Sequence, residues 1–277
     1  MAATRTLPFD PADLARSLVP IALLAVAAVV PPIRITVLIV LATGAAVAVS
    51  RDAPVRWTWA GAVPVAVSLF WGTLGTPLAA ADLGDCANPA SPVATWRALE
   101  AVVVLLSLAI VALVLRAVPA SLYLRMPARR WAARHWPVWA VLGFLVAGPI
   151  ALLVGPYLAR PFFGDVSYVL VAGALVPALI FAVSNGVMEE LVYRGALMSW
   201  SGRVMGMGPA LVGQAVVFGL AHSGTDVIGF QFPLMLAMGL GGLFAGLITI
   251  RTRSLLIPIA IHIGLDIPIY FALACRP

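Results

Sequence analysis

The chain has no lysine; all seventeen of its basic residues are arginine. It has three glutamates, three histidines and two cysteines, and only 10% of its 277 residues are charged. Each scarcity excludes something. So few charges cannot cover the surface of a soluble globular domain. Two distant cysteines, Cys86 and Cys275, lack the spacing of a cysteine-ligated metal site. The N-terminal MAATRTLPFDPADLARS is polar and of mixed charge. It lacks the basic-then-apolar order and cleavage site of a signal peptide, so the first span is expected to stay as an anchor. The net charge of +6 sits in short loops between apolar runs, where arginines set orientation, and offers no nucleic-acid site. Arginine without lysine, amid abundant Ala, Val, Gly and Pro, fits GC-rich coding and points to a bacterium.

What is present is apolar. Hydrophobic residues make up 62% of the chain, and the mean hydropathy is +1.06. Long uncharged runs predict an all-α, polytopic helical membrane protein with about eight to nine transmembrane helices. The short alternating segments of a membrane β-barrel are absent. Spans are expected at 17–31, 33–50, 57–80, 98–117, 138–158, 167–188, 207–222, 232–250 and 255–274. Pro31-Pro32 turns a tight hairpin between the first two, in preference to one kinked span over 17–49. With the RMPARRWAARHW loop (125–136) in the cytoplasm, twelve loop arginines lie inside and four outside (Arg34, Arg97, Arg160 and Arg276). That predicts a multi-pass protein of the plasma membrane, N-terminus cytoplasmic and C-terminus outside. Cys86 and Cys275 then share an oxidising side, where a disulfide and two separate thiols are both open. The interiors of the first five spans read as free of ionisable residues. Residues 1–160 are therefore expected to be a transmembrane scaffold and residues 161–277 the catalytic membrane core.

Three motifs bring costly groups into that core. In NGVMEELVYRG (185–195), Glu190 and Arg194 are four apart and can pair, while Glu189 is turned by about 100° and faces something else. A buried salt bridge that fixes helix packing is the plain structural alternative for that pair. FGLAH (218–222) ends an apolar run on His222, which alone reads more readily as a helix cap or interface residue than as a catalyst. HIGLD (262–266) puts His262 and Asp266 on one face within an apolar span, where ionisable groups mark function. Gly242 and Gly246 in GLGGLFAG (239–246) have the spacing that lets helices approach closely.

A carboxylate with imidazoles, and no Ser or Cys nucleophile nearby, suits activated water. Glu189 would take the water's proton, a histidine would stabilise the developing oxyanion, and Asp266 would fix the His262 tautomer. Arg194 would keep Glu190 ionised. The reaction class is amide hydrolysis within the membrane. A zinc variant uses His222 and His262 with Glu189 or Asp266. The His-x-x-x-His and Cys-x-x-Cys spacings are missing, so zinc stands as an alternative and no cofactor is required.

The ordered set EELVYR (189–194), FGLAH (218–222) and HIGLD (262–266) resembles the CPBP intramembrane proteases. These comprise the CAAX type II prenyl endopeptidases and the bacteriocin-processing or self-immunity proteins of the Abi family. The resemblance covers about 175–272. It implies a helical membrane endopeptidase in which Glu189 activates water assisted by His222, His262 and Asp266 stabilise the oxyanion, and Glu190 and Arg194 support them. Many eukaryotic members carry Asn where this chain has Asp266, and an ionised Asp cannot donate to an oxyanion. The resemblance leaves open a glutamate-dependent or a metalloprotease mechanism. It implies a lipid bilayer setting and a peptide or membrane-protein substrate.

One geometric difficulty follows. Straight spans put Glu189 at the inner end of one helix and His222 at the outer end of the next. Residues 167–200 would run about 50 Å as one helix. Either that stretch breaks or tilts around Ser184-Asn185-Gly186, or the FGLAH helix ends within the membrane. A Glu189–His222 separation beyond about 12 Å would rule out a shared site. The rival functions are an ion- or proton-coupled transporter using the same residues as a relay and a non-catalytic immunity or scaffold protein.

Overall fold

In the computed structural model, residues 11–74, 86–128, 130–163, 171–223 and 231–275 are described; they form helices and short connections, with no strand among them. The helices are α1 (Pro11–Val29), α2 (Arg34–Ser50), α3 (Arg56–Trp71), α4 (Pro92–Val114) and α5 (Arg130–Phe163). They are followed by α6 (Leu175–Glu189), a π-helical stretch (Glu190–Met198), α7 (Ser199–Met205), α8 (Met207–Ala221), α9 (Phe232–Thr252) and α10 (Leu256–Ala274). The protein is a polytopic helical membrane protein. Every expected span coincides with a helix, although 75–80 and 167–170 lie outside the described residues. Among the described residues, seven helices are long and apolar enough to cross a membrane. The other two are α3, with 16 residues, and α8, with 15. At 1.5 Å per residue each reaches about 24 Å or less, short of a hydrocarbon core of about 30 Å.

Solvent preference is inverted relative to a soluble protein. Leu113 and Leu153 are 77% and 71% exposed, whereas Gln214, Ser201 and Arg194 are at most 1% exposed. In lipid, exposed leucine costs nothing, and polar groups must find partners inside. The span from Ala172 to Met205 is the most enclosed of the seven, with 56% of its most apolar 18-residue stretch buried against 17–44% in the other six. It is the hub of the bundle. The α6 portion packs on α4 and α10, while the π-helical stretch packs on α3, α8 and α9.

No break occurs at Ser184–Gly186, so the break half of the first alternative for the long helix is corrected. Helix α6 runs through it, because Asn185 bonds across to α10 rather than to its own backbone. Gly186 gives the Ile263 backbone room to approach. The irregularity comes later, where the i→i+5 winding begins at Glu190. The chain then reverses at Gly206, whose φ of 84° suits glycine. Helix α8 starts at once and stops at Ala221.

Helices α1 and α2 are separate, joined by a 3-10 turn at Pro31–Ile33, in keeping with the preferred two-span reading. Two other sequence expectations are corrected. Arg34, assigned to an outer loop, instead folds inward at 3% exposure and donates to the carbonyls of Ala27 and Ala28 at the end of α1. Pro31 and Pro32, four residues on, have no N–H to give these carbonyls, which favours a guanidinium there. Glu100 on α4 is also buried and pairs with Arg97 at 2.6 Å. The first five spans therefore do carry interior ionisable residues.

Cys86 and Cys275 form a disulfide, with Cα atoms 5.2 Å apart. It ties the chain just ahead of α4 to the end of α10. Beside it, the Tyr270 hydroxyl bonds the Cys86 carbonyl at 2.9 Å and Ser91 Oγ at 2.8 Å. We expect a mobility difference between reduced and non-reduced protein on denaturing gels. We also expect a Cys86→Ser/Cys275→Ser variant to lose about 2–4 kcal/mol of stability in denaturant unfolding.

Candidate active site

Three helices deliver the polar groups to one place. Glu189 ends α6 and Glu190 opens the π-helical stretch, so both are held inside the bundle at 7% and 1% exposure. His222 sits immediately after α8. Its Nδ1–H donates to the Phe218 carbonyl at 2.8 Å, one of the carbonyls a helix end leaves without a partner. This turns Nε2 toward Glu189, 3.7 Å from Oε1. The aromatic ring of Phe218 lies 4.5 Å from the His222 ring. His262, on α10, presents Nε2 to the other oxygen of Glu189 at 3.5 Å. Glu189 thus lies between two imidazoles, and the limit set for a shared site is met with a wide margin.

Glu190 faces a different pair. Its Oε1 is 3.0 Å from Arg194 Nη1 and 2.9 Å from His262 Nδ1. The Arg194–Glu190 pairing expected from the i, i+4 spacing is present, with both side chains 1% exposed. The Arg194 guanidinium also stacks 4.3 Å from the Phe218 ring, so one cation braces two of the three motifs. The ring orientation of His262 is set by Glu190 and not, as the sequence suggested, by Asp266. Asp266 stands 3.7 Å from His262 Nε2, the opposite nitrogen. It accepts a 2.9 Å hydrogen bond from Asn185 Nδ2 instead.

All six sequence-derived residues, Glu189, Glu190, Arg194, His222, His262 and Asp266, therefore converge. Sequence reasoning missed Asn185, one turn ahead of Glu189, and the Arg97–Glu100 pair on α4. Glu100 is the third of only three glutamates and lies three residues from an arginine inside an apolar run, which was the available signal. Arg97, Glu100 and Arg34 line a cavity of about 190 Å³ that Glu189, Tyr193 and His222 also line. A metal held by His222 and His262 with Glu189 or Asp266 was the alternative to a metal-free site. Among the described residues no group of three or more His, Cys, Asp or Glu side chains is arranged to hold one, so no step is derived through a metal.

Glycines in two motifs serve close packing. A Cβ on Gly219 would lie 2.6 Å from the Met235 carbonyl, and one on Gly264 would lie 2.5 Å from the Phe144 carbonyl. The first sets α8 against α9; the second sets α10 against α5. Gly242 and Gly246 line the α9 face that meets α8, as their spacing predicted. We expect Gly264→Ala to cost about 1–3 kcal/mol in unfolding, the usual penalty for overpacking. It should also reduce activity by displacing His262, two residues away.

No curated protein and no solved structure matches the chain. The region that carries all three motifs, residues 168–267, matches the protein-family model described as type II CAAX prenyl endopeptidase Rce1-like, in agreement with the resemblance drawn from the motifs.

Proposed function

We propose that the protein is an intramembrane endopeptidase that hydrolyses peptide bonds with a water activated by Glu189. The observation that carries this reading is the placement of Glu189 between His222 Nε2 and His262 Nε2, at 3.7 and 3.5 Å, on a cavity wall. Those separations exceed a direct hydrogen bond and suit one bridging water. His222 donates its Nδ1–H to Phe218, so in the neutral ring Nε2 is the acceptor. A water donating one hydrogen to Glu189 and the other to His222 keeps a lone pair free for the carbonyl carbon. As the oxygen–carbon bond forms, Glu189 takes the proton. The carbonyl oxygen becomes an oxyanion, to which doubly protonated His262 donates from Nε2 while Nδ1–H stays on Glu190. Collapse breaks the carbon–nitrogen bond, and Glu189 passes its proton to the leaving amine. Arg194 holds Glu190, and Asn185 holds Asp266 beside His262.

The matched family's description as endopeptidases supports the class. A peptide or membrane-protein segment is the substrate, reached within the lipid bilayer. The rival proton-relay reading uses the same residues and makes the opposite forecast in one experiment. Purified protein in proteoliposomes is given internally quenched apolar peptides, and cleavage is recorded alongside proton flux under a pH gradient. Cleavage without flux is the expected result. Flux without cleavage would assign the site to transport, and neither activity would favour a non-catalytic scaffold.

A further inference from the structure

The cavity has a second charged wall that the hydrolytic steps leave unused. Glu100 is anchored through both oxygens, by Ser68 Oγ at 2.8 Å and Arg97 Nη1 at 2.6 Å. The Arg97 side chain keeps 29% exposure, and its guanidinium lies 5.7 Å from the Phe181 ring. Glu100 and Phe181 thus hold the guanidinium from two sides, while it lines the same cavity as Glu189 and His222. An ion pair inside an apolar bundle adds little stability compared with hydrophobic residues of similar volume. A fixed guanidinium on a cavity wall, by contrast, is well suited to binding a carboxylate, because its planar fork offers parallel N–H donors. The lining also includes apolar and aromatic residues such as Trp96 and Leu273, and a second guanidinium, that of Arg34. Orienting polar groups in ligand cavities occur in this kind of setting.

We propose that Arg97 is a specificity-determining residue that binds a carboxylate of the peptide occupying the cavity, with Glu100 as its positioning residue. The inference rests on the protease reading for its substrate class. It deepens that reading by predicting a preference for peptides that carry a negative group near the scissile bond. That group is either the chain's own C-terminal carboxylate or an acidic side chain.

Binding tests this independently of turnover. The full chain carrying Glu189→Gln, in detergent micelles, is titrated with four N-acetylated apolar tetrapeptides. Two differ only in a free C-terminal carboxylate against an amide. Two are amide-capped and differ only in Glu against Gln at one position. We expect about a tenfold or greater preference for the acid in one of the two pairs, and that pair identifies the source of the carboxylate. The preference should vanish in Arg97→Gln/Glu100→Gln, which removes both charges together and leaves none buried alone. It should weaken in Arg97→Lys, which keeps the charge but not the fork. Equal binding of acid and amide in both pairs, no binding of any peptide, or a preference that survives the double substitution would each overturn the assignment. Glu189-dependent cleavage alongside any of those results would leave the protease reading standing. A carboxylate preference without cleavage would do the reverse.

Discussion

Glu189→Gln is expected to lower kcat for peptide cleavage by about 10²–10⁴-fold while leaving KM nearly unchanged, the range by which a positioned general base contributes. Glutamine has almost the same shape, so the cavity is preserved and only the basic oxygen is lost. Glu189 meets the imidazole nitrogens of His262 and His222 at 3.5 and 3.7 Å, beyond direct hydrogen bonds. Its Oε2 accepts no hydrogen bond from any described group. Removing a buried carboxylate so weakly paired should leave the unfolding midpoint unchanged or raise it, as expected where a site gives up stability for chemistry. Cleavage assays on wild type and variant, with thermal unfolding of the same preparations, check both halves. Undiminished turnover would remove Glu189 from the mechanism. Lost turnover with a sharply lowered midpoint would make the residue structural.

That test has a companion at His222. Its ring nitrogen faces the other side of the same proposed water, so His222→Ala should be strongly non-additive with Glu189→Gln. Residues acting on one water form a unit, and removing the second costs little once the first is gone.

The contrast between Glu189 and Glu100 shows how far the sequence could be read. Three glutamates in an apolar chain are conspicuous, and two of them fall in a motif with an arginine at helical spacing. Periodicity alone then put Glu190 beside Arg194 and turned Glu189 away, as the coordinates have it. Helical spacing is local and survives translation into structure. What crosses between helices does not announce itself. Nothing in the spacing of HIGLD tells that His262 Nδ1 meets Glu190 rather than Asp266, or that Asp266 is held by Asn185, 81 residues earlier. Arg34 and Arg97 misled for a related reason. An arginine near a span end normally snorkels to the interface, but here helix-end carbonyls and Glu100 give these two inward partners. The π-helical winding from Glu190 was also invisible, since i→i+5 bonding has no residue signature of its own.

Arg194 carries the second large forecast. Arg194→Met should destabilise the protein by about 3–5 kcal/mol, because it takes the guanidinium from a buried Glu190 and leaves that carboxylate only His262 as a partner. The Arg194 stacking on Phe218 would be lost as well, loosening the helix end that positions His222. Glu190→Leu/Arg194→Met removes both charges, and most of the stability should return, since apolar side chains replace buried pairs at little cost. Activity should not return with it. His262 Nδ1–H would have no carboxylate, its ring would be free to rotate or change tautomer, and turnover should stay at least about tenfold low. Denaturant unfolding in mixed micelles and cleavage by the same samples separate the two roles. If activity recovers together with stability in the double variant, the Glu190–His262 contact is incidental and the pair serves packing alone.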